Sequence, residues 1–260
     1  MKVYVFASGS SGNCLLLSSG DTNILIDAGI SMRRIEASLA QTGRTMRDIG
    51  GVLITHEHSD HISGLKMLIK YHRVPVYAPR TVASRLRGML PEIEGCLRVI
   101  PVGERFLLGR LFIKAFHTPH DTDESVGYRV EGDGVFALAT DMGCVTDEVM
   151  EGLRGAEAVL IEANHDEEML RYGSYPVYLK RRILSEHGHL SNDNCALLAR
   201  ALAQNGTRQI ILGHLSRENN TPMRAMDTVR GALLDCPTAL YCAPVSGCLE
   251  LQVGEELCFR

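Results

Sequence analysis

The sequence lacks several features that would assign it directly to a common class of protein. Its eight cysteines are scattered and include no CxxC pair, so they form neither a redox motif nor the framework of a small disulfide-rich domain. No apolar run approaches the roughly 20 residues of a membrane span, and the N-terminus reaches Gly9 before a signal-peptide core could form. We therefore expect a cytoplasmic protein with free thiols and no membrane association.

An excess of positive charge is also absent. The net charge of -4 excludes any inference of nucleic-acid binding from overall basicity, although a local basic patch is compatible with it. A polyanionic partner would therefore have to be bound by particular side chains rather than attracted by the whole protein.

Long linkers, low-complexity tracts and sequence repeats are absent as well. The 260 residues, with 45% hydrophobic and 22% charged side chains, have the ordinary composition of a globular protein. We treat residues 1–260 as a single domain. Short apolar runs alternate with amphipathic stretches in both halves, which predicts an α/β (α+β) protein with two sheets between helical layers.

Twelve apolar runs are predicted to be strands, and three amphipathic segments are predicted to be helices. The predicted strands are Val3–Ala7, Cys14–Leu17, Ile24–Asp27, Val52–Thr55, Val74–Tyr77, Leu111–Phe116, Val126–Val130, Val135–Thr140, Ala158–Glu162, Arg208–Leu212, Ala239–Cys242 and Cys248–Val253. The predicted helices start at Ser31, Ser191 and Thr221, residues that are favourable N-caps. The glycine-rich segment Ser8–Asn13 lacks the lysine of a phosphate-binding loop, so we predict a tight hairpin there.

Three histidines and one aspartate lie within residues 56–61, directly after a predicted buried strand. His56 and His58, two residues apart, can bind one cation, while Asp60 and His61 can turn toward a second. Imidazole and carboxylate ligands suit zinc, manganese or iron and leave coordination positions free for water. The alternative is a polar surface loop that happens to be rich in histidine.

Three further candidate ligands follow apolar runs elsewhere in the chain. They are His120, Asp141 and His214. Strand ends deliver side chains to a shared sheet edge, so we expect these residues to meet the 56–61 segment. Taken singly, each has an alternative as a turn or cap residue.

These motifs and their order resemble those of the metallo-β-lactamase-fold hydrolases. Asp27 in Ile24–Gly29 is similar to the first motif of that family, residues 56–61 to the second, and His120, Asp141 and His214 to the remaining three. The resemblance implies an αββα four-layer sandwich with the site at one edge of the two sheets, and Asp27 as structural support.

The resemblance also implies a ligand set for two divalent metal ions, zinc, manganese or iron. One ion is expected on His56, His58 and His120, and a second on Asp60, His61 and His214, with Asp141 bridging them. Flavodiiron relatives have a glutamate where this chain has His58, which favours a hydrolytic site over a redox site.

A closer resemblance is to the YycJ/WalJ-like branch of this family. It is carried by residues 8–14, 55–61, 162–166, 188–192 and 212–216. The branch implies a 5′-to-3′ exonuclease on DNA or, more broadly, a phosphodiesterase acting on nucleic acid. Asn13, in the first of these segments, is expected to brace the site.

The predicted chemistry agrees with this implication. Paired metal ions suit in-line attack at phosphorus, and Asp60 is expected to orient the attacking water while it acts as a ligand. The departing alkoxide needs a proton, for which His189 is the candidate. Ser191 and Asn192, at the start of a predicted helix, are expected to contact phosphate oxygens. In the alternative, Ser191 is only an N-cap and His189 only a surface residue.

Aromatic and basic residues alternate between residues 172 and 182, a composition suited to base stacking and phosphate contact. The candidate substrate contacts are Lys180, Arg181, Arg182 and, beside His214, Arg217, with Tyr172, Tyr175 and Tyr178 as candidate stacking residues. A solvated helix face is the alternative.

Other functions remain open on the same scaffold. They are hydrolysis of a thioester or lactone, hydrolysis of a cyclic or small-molecule phosphodiester, and a noncatalytic metal-binding module. Only 73 residues (214 minus 141) separate Asp141 from His214, so the large inserted domain of β-CASP nucleases has no room.

Overall fold

The computed structural model describes residues 1–254, which form two seven-stranded sheets flanked by helices. Along the chain the strands are β1 Lys2–Ala7, β2 Cys14–Ser19, β3 Thr22–Ile26, β4 Gly51–Leu53, β5 Val76–Pro79, β6 Leu97–Ile100, β7 Arg105–Leu108, β8 Leu111–His117, β9 Val126–Glu131, β10 Val135–Ala139, β11 Ala158–Glu162, β12 Gln209–Gly213, β13 Ala239–Cys242 and β14 Leu249–Gln252. The helices are α1 Met32–Gln41, α2 Ser59–Ile62, α3 Leu65–His72, α4 Arg80–Met89, α5 Asp147–Leu153, α6 Glu167–Tyr172, α7 Val177–Ile183, α8 Asn192–Gln204 and α9 Pro222–Ala232.

Each sheet has an antiparallel part and a parallel part. The first sheet has the order β14-β1-β2-β3-β4-β5-β6 and is parallel from β3 to β6. The second has the order β13-β12-β11-β10-β9-β8-β7 and is parallel from β10 to β13. Parallel neighbours need crossover connections, and helices supply several of them.

The two-residue period of the strands explains the layers. Val3 and Val5 pack in a cluster between the sheets that also contains Leu138 and Ile211 of the second sheet. The alternate side chain Tyr4 belongs instead to the cluster under the helices of the first sheet. Because both faces of these central strands are buried, the strands read as continuous apolar runs.

The predicted αββα four-layer sandwich is confirmed. All twelve predicted strands occur, with ends displaced by at most two residues, and the three predicted helices correspond to α1, α8 and α9. The sequence pattern does not predict β6, β7 or the six helices α2 to α7, all of which are ten residues or shorter. Short elements carry too few repeats of a hydrophobic period to be recognised from pattern alone.

Two further expectations concern the whole chain. Seven cysteines lie among the described residues and all are free thiols, while Cys258 lies outside that range. Between Met1 and Gly254, every helix is too short or too polar to cross a lipid bilayer.

Candidate metal centre

The candidate site residues follow the carboxyl ends of strands at one edge of the sandwich. Asp27 follows β3, the 56–61 segment follows β4, Asp141 follows β10 and His214 follows β12. Parallel strands bring their carboxyl ends to the same edge, so residues far apart in sequence meet there.

Three of these residues have left-handed backbone conformations. The φ angles are 59° at Asp27, 57° at Asp141 and 54° at His214. Non-glycine residues rarely adopt positive φ and retain it only where surrounding contacts impose it. Each strand thus ends in a sharp turn at the residue whose side chain enters the site.

The structure brings all seven predicted ligands together. Four groups have ligand atoms within 4.8 Å of one another: His56, His58 and His120; Asp60, His61 and His214; His56, His61 and Asp141; and Asp141, Glu162, His189 and His214. The first two groups are the two metal sites predicted from the sequence.

Asp141 lies between these two groups. Its Oδ2 is 3.3 Å from Nε2 of His61, and its Oδ1 is 3.4 Å from Nε2 of His214 and 3.8 Å from Nε2 of His120. A carboxylate in this position can supply one oxygen to each of two cations. This is the arrangement expected of a bridging ligand.

Two buried polar atoms of this cluster test whether cations fit. Nε2 of His56 and Oδ2 of Asp141 have no hydrogen-bond partner among the described residues. Buried polar groups without partners are costly, and a metal ion would satisfy both atoms. The donor set of imidazole nitrogens and carboxylate oxygens also suits zinc, manganese or iron.

The charge balance of the cluster also indicates that cations fit this site. Burial would raise the pKa of Asp141, but the neighbouring imidazoles of His214 and His61 hold it well below its ordinary value. Burial would lower the pKa of His214, but Asp141, Asp60 and Glu162 raise it to about 10. The buried carboxylates therefore require positive charge, which either protons or divalent ions can supply.

Hydrogen bonds to Nδ1 orient several of the histidines. The partners are Asp27 Oδ2 for His61 at 2.8 Å, Thr55 Oγ1 for His56 at 3.1 Å, Glu162 Oε1 for His214 at 3.0 Å and the Gly188 carbonyl for His120 at 3.3 Å. Each bond leaves Nε2 available as a ligand atom, as is usual for metal-binding histidines. His58 differs, because its Nδ1 faces His120 Nε2 at 3.3 Å.

Asn13 braces the segment from the hairpin before β2. Its Oδ1 accepts a hydrogen bond from the Gly9 amide at 2.9 Å, and its Nδ2 lies 3.3 Å from the Asp60 carbonyl and 3.0 Å from His61 Nε2. The contacts agree with the supporting position expected from the sequence.

His189 lies at the edge of the metal cluster and is paired with a buried carboxylate. Its Nδ1 is 2.7 Å from Oε1 of Glu162, whose side chain is fully buried at the end of β11. Burial would raise the pKa of Glu162, but His189 and His214 lower it to about 2. Burial would lower the pKa of His189, but the Glu162 carboxylate raises it overall. The pair favours a protonated imidazole beside the metal cluster.

Glu162 is a site residue that the sequence pattern did not identify. The signal was present, because Glu162 ends an apolar strand in the same way as Asp141 and His214 follow theirs. His165, three residues after Glu162, orients none of the candidate ligands, because both of its ring nitrogens lack a hydrogen-bond partner within residues 1–254.

Two of the predicted substrate contacts, Ser191 and Asn192, are buried at the start of α8. Ser191 is the N-cap of α8, its Oγ accepts from the Asn194 amide, and it is 3% exposed. Asn192 is 1% exposed and bonds to Asn220. These contacts argue against the predicted phosphate contacts of both side chains, because each is already satisfied within the fold.

The four basic candidates all lie at or near the surface. Lys180 donates through Nζ to the carbonyls of Arg171 and Gly173, at 2.8 Å each. Arg182 forms an ion pair with Asp121, and Arg217 donates to Ser11 Oγ at 2.7 Å. Arg181 is exposed. Arg182 is the member of this set that lines the cavity described next.

A cavity of 180 Å³ opens beside the cluster of candidate ligand side chains. Its lining includes His189 and His214, together with Asp121, Arg182 and Tyr175. Of the predicted ligands His214 lines the cavity, and the carboxylate of Asp121, which also lines it, is 3.2 Å from Nε2 of the predicted ligand His120. A substrate held in it would touch the cluster.

Two facing sheets with a histidine and aspartate cluster at one edge define a metallo-β-lactamase-fold hydrolase. The β-lactamase superfamily domain matches residues 22–215. The chain is 38% identical over 218 residues to the exodeoxyribonuclease YycJ of Bacillus anthracis, with 83% of each chain covered. It is 39% identical over 223 residues to the exodeoxyribonuclease WalJ of Streptococcus pneumoniae, covering 84% of this chain and 83% of WalJ.

The chain therefore belongs to the β-lactamase superfamily and, within it, to the family of the exodeoxyribonucleases YycJ and WalJ. The crystal structure of the metallo-β-lactamase-fold protein YhfI from Bacillus subtilis has the same fold, with a TM-score of 0.71 at 16% identity over 96% of this chain and 99% of YhfI. The predicted fold and the predicted enzyme class, a metal-dependent hydrolase, are confirmed.

Proposed function

We propose that this protein is a dinuclear metal-dependent phosphodiesterase that removes nucleotides from DNA in the 5′-to-3′ direction. The observation that carries the proposal is the position of Asp141 between two three-ligand groups below a cavity that His189 lines. The names of the relatives YycJ and WalJ, both exodeoxyribonucleases, support DNA as the substrate.

Two divalent ions, zinc, manganese or iron, are the cofactors in this proposal. His56, His58 and His120 would hold one ion, Asp60, His61 and His214 would hold the other, and Asp141 would contact both. Ions held in this way polarise a substrate phosphate and promote the attack of water on phosphorus.

The side chains of the protein would provide orientation and protons. Asp60 is 21% exposed and is held by His214 and His61, which lower its pKa despite its burial, so its carboxylate can accept a hydrogen bond from water. His189, paired with Glu162, can donate a proton to the departing oxygen. The carboxylate of Glu162 fixes which ring nitrogen of His189 faces the substrate.

The His189 and Glu162 pair favours a phosphodiester over a thioester. An alkoxide leaving group is strongly basic and needs a proton donor, whereas a thiolate departs without one at neutral pH. A buried carboxylate that holds an imidazole protonated is suited to the more difficult leaving group.

The experiment compares substrate classes with one metal-loaded preparation. Substrates are end-labelled DNA and RNA, bis(p-nitrophenyl) phosphate, a cyclic nucleotide, and a glutathione thioester with a lactone. We expect turnover of DNA and of the model diester, and loss of both in His61→Ala. Turnover confined to the thioester or lactone would reject the proposal in favour of acyl hydrolysis, and no hydrolysis of any substrate by the metal-loaded protein would support a binding module.

A further inference from the structure

We propose that Asp121 is a positioning residue that links the first metal site, formed by His56, His58 and His120, to Arg182 in the wall of the cavity. The inference rests on the proposed function, because it concerns the metal ions and the substrate phosphate of that function. It adds a residue that lies outside the predicted ligand set. Asp121 and Arg182 both line the cavity.

The two carboxylate oxygens of Asp121 face different partners. Its Oδ1 lies 3.2 Å from Nε2 of His120 and 4.0 Å from Nε2 of His58. Its Oδ2 accepts a hydrogen bond from Nε of Arg182 on α7 and also pairs with Nη2 of that guanidinium. One carboxylate thus contacts two predicted ligands of the first ion and a basic side chain at the cavity.

His58 is the predicted ligand that gains most from such a partner. Its Nδ1 faces Nε2 of His120 at 3.3 Å, so Nε2 is its outer nitrogen. The side chain of His58 is 35% exposed, against 2% for His120. The carboxylate of Asp121 faces this outer nitrogen at an ion-pair distance, and carboxylates at the outer nitrogen of ligand histidines orient the ring. Asp121 is placed to support His58 as Asp27 supports His61.

The first metal site has no carboxylate of its own. Its three side chains are imidazoles, whereas the second site includes Asp60, and Asp141 lies between the two sites. A negative charge about 4 Å from a cation stabilises it, and does so more strongly near a protein surface than in bulk water. Asp121 supplies such a charge. Because its other oxygen holds Arg182, the same carboxylate offsets the positive charge of the guanidinium beside this site.

The loop between β8 and β9 holds Asp121 in place. Thr122, the next residue, donates through Oγ1 to Oε1 of Glu57 at 2.7 Å. Asp123 forms an ion pair with Arg85 of α4. The loop is therefore tied both to the segment that carries His58 and to a neighbouring helix. A side chain on a fixed loop orients its partners with little loss of conformational freedom when an ion or a substrate binds.

The first test measures zinc binding to the metal-free protein by competition with a chelating indicator. Asp121→Asn keeps the shape of the side chain and removes its charge, and it should weaken one of the two binding steps about 10- to 100-fold. Asp123→Asn, two residues away and paired with Arg85, is the matched control and should keep both steps. Circular dichroism of the metal-free variants checks that both are folded.

The identity of the weakened step tests the assignment to the first site. It should be the step that His58→Ala loses, and not the step that His61→Ala loses. Wild-type affinity in Asp121→Asn, or weakening of the step that depends on His61, would overturn the inference.

The second test asks whether Asp121 acts on the substrate through Arg182. At saturating metal, Arg182→Gln should raise KM for single-stranded DNA about tenfold, as expected for the loss of a charged hydrogen bond, and Asp121→Asn should raise it as well. The double variant should have the KM of Arg182→Gln, because the carboxylate then has no arginine to hold. Arg85→Gln, at an arginine with an aspartate partner outside the cavity, is the control and should keep the wild-type KM. A KM in the double variant equal to the product of the two single effects would overturn the link.

Failure of this inference is distinguishable from failure of the proposed function. If Asp121→Asn binds zinc as the wild type does while the wild type hydrolyses DNA, the inference is wrong and the proposed function stands. If the wild type hydrolyses no phosphodiester, the proposed function is wrong, and the zinc titration still decides whether Asp121 supports the first metal site.

Discussion

Oε1 of Glu162 lies 2.7 Å from Nδ1 of His189, and the same oxygen lies 3.0 Å from Nδ1 of the candidate ligand His214. One buried carboxylate thus orients a candidate proton donor and a candidate metal ligand together. Its other oxygen accepts from the Met142 amide at 2.9 Å, which fixes the carboxylate itself. The geometry of the site therefore depends on a residue outside the ligand set predicted from the sequence.

Replacing Glu162 with glutamine should reduce kcat on DNA about 10- to 100-fold, the usual effect of losing such a partner. The amide has no charge with which to stabilise a protonated His189. We expect kcat to fall more than KM rises, and the alkaline limb of the kcat profile to move to lower pH. Metal content is measured in parallel because Glu162 also contacts His214. Glu151→Gln, at an exposed site on α5, is the control, and a wild-type kcat in Glu162→Gln would contradict the assignment.

Asp27→Ala should weaken metal binding about 10- to 100-fold, because Asp27 fixes the tautomer and ring orientation of His61. The carboxylate also accepts from the Thr55 amide at 2.9 Å, so it joins two strand ends. The dissociation constant is measured by competition with a chelating indicator. Asp21→Ala, in the exposed turn between β2 and β3, should bind metal as the wild type does. Equal metal affinities in the two variants would contradict the supporting role of Asp27.

Removal of metal with a chelator should lower the melting temperature. At a free metal concentration about 100 times the dissociation constant, binding stabilises the folded state by about 2.7 kcal/mol, which corresponds to roughly 5–10 °C for a protein of this size. Differential scanning calorimetry with and without added zinc or manganese measures the shift. His61→Ala should show a smaller shift, and a melting temperature independent of metal would be incompatible with the proposed centre.

His165→Leu should make stability less sensitive to acid. Burial lowers the pKa of His165 to about 4, against about 6.5 in the unfolded chain. The unfolded state therefore binds a proton first as pH falls. The stability from keeping His165 neutral is fully present above about pH 6.5 and is lost toward pH 4, by roughly 2 kcal/mol at pH 5.

Urea unfolding at pH 7 and pH 5 tests this prediction. The wild type should lose more unfolding free energy between the two values than His165→Leu does. His187→Leu, at an exposed histidine, serves as the control and should behave as the wild type. A wild-type pH dependence in His165→Leu would contradict the prediction. At pH 7 the leucine variant should be no less stable, since both ring nitrogens lack partners among the described residues.

Tyr172→Ala and Tyr178→Ala should raise KM for single-stranded DNA, about fivefold or more for each stacked base lost. The two rings are 88% and 74% exposed on either side of the α6–α7 turn, where a strand leading to the cavity would pass. Tyr71→Ala, at an exposed tyrosine on α3, is the matched control. Hydrolysis of bis(p-nitrophenyl) phosphate should not change in any of the three. If KM for DNA is unchanged in the first two variants, Tyr172 and Tyr178 do not contact DNA and belong to a solvent-exposed helix face.

The sequence by itself determined which residues could bind metal and where along the strands they fall. The run at residues 56–61 and the residues at the ends of β8, β10 and β12 were recognisable because ligand type and strand pattern are local properties of the chain. The same local rule would have included Glu162, since it ends β11. The residues near it in sequence, however, do not indicate which side chains it contacts.

Only the tertiary structure decided which of the remaining residues face the site. Ser191 and His189 are two residues apart, yet one is a buried N-cap and the other lines the cavity. The histidine partners of Glu162 are 27 and 52 residues away in sequence, and the partners of Asp27 are up to 34 residues away. Such pairs are set by the register of parallel strands and by the packing of α7 over the sheet edge. A sequence pattern depends on residues that are close along the chain, whereas these contacts join residues that come together only on folding.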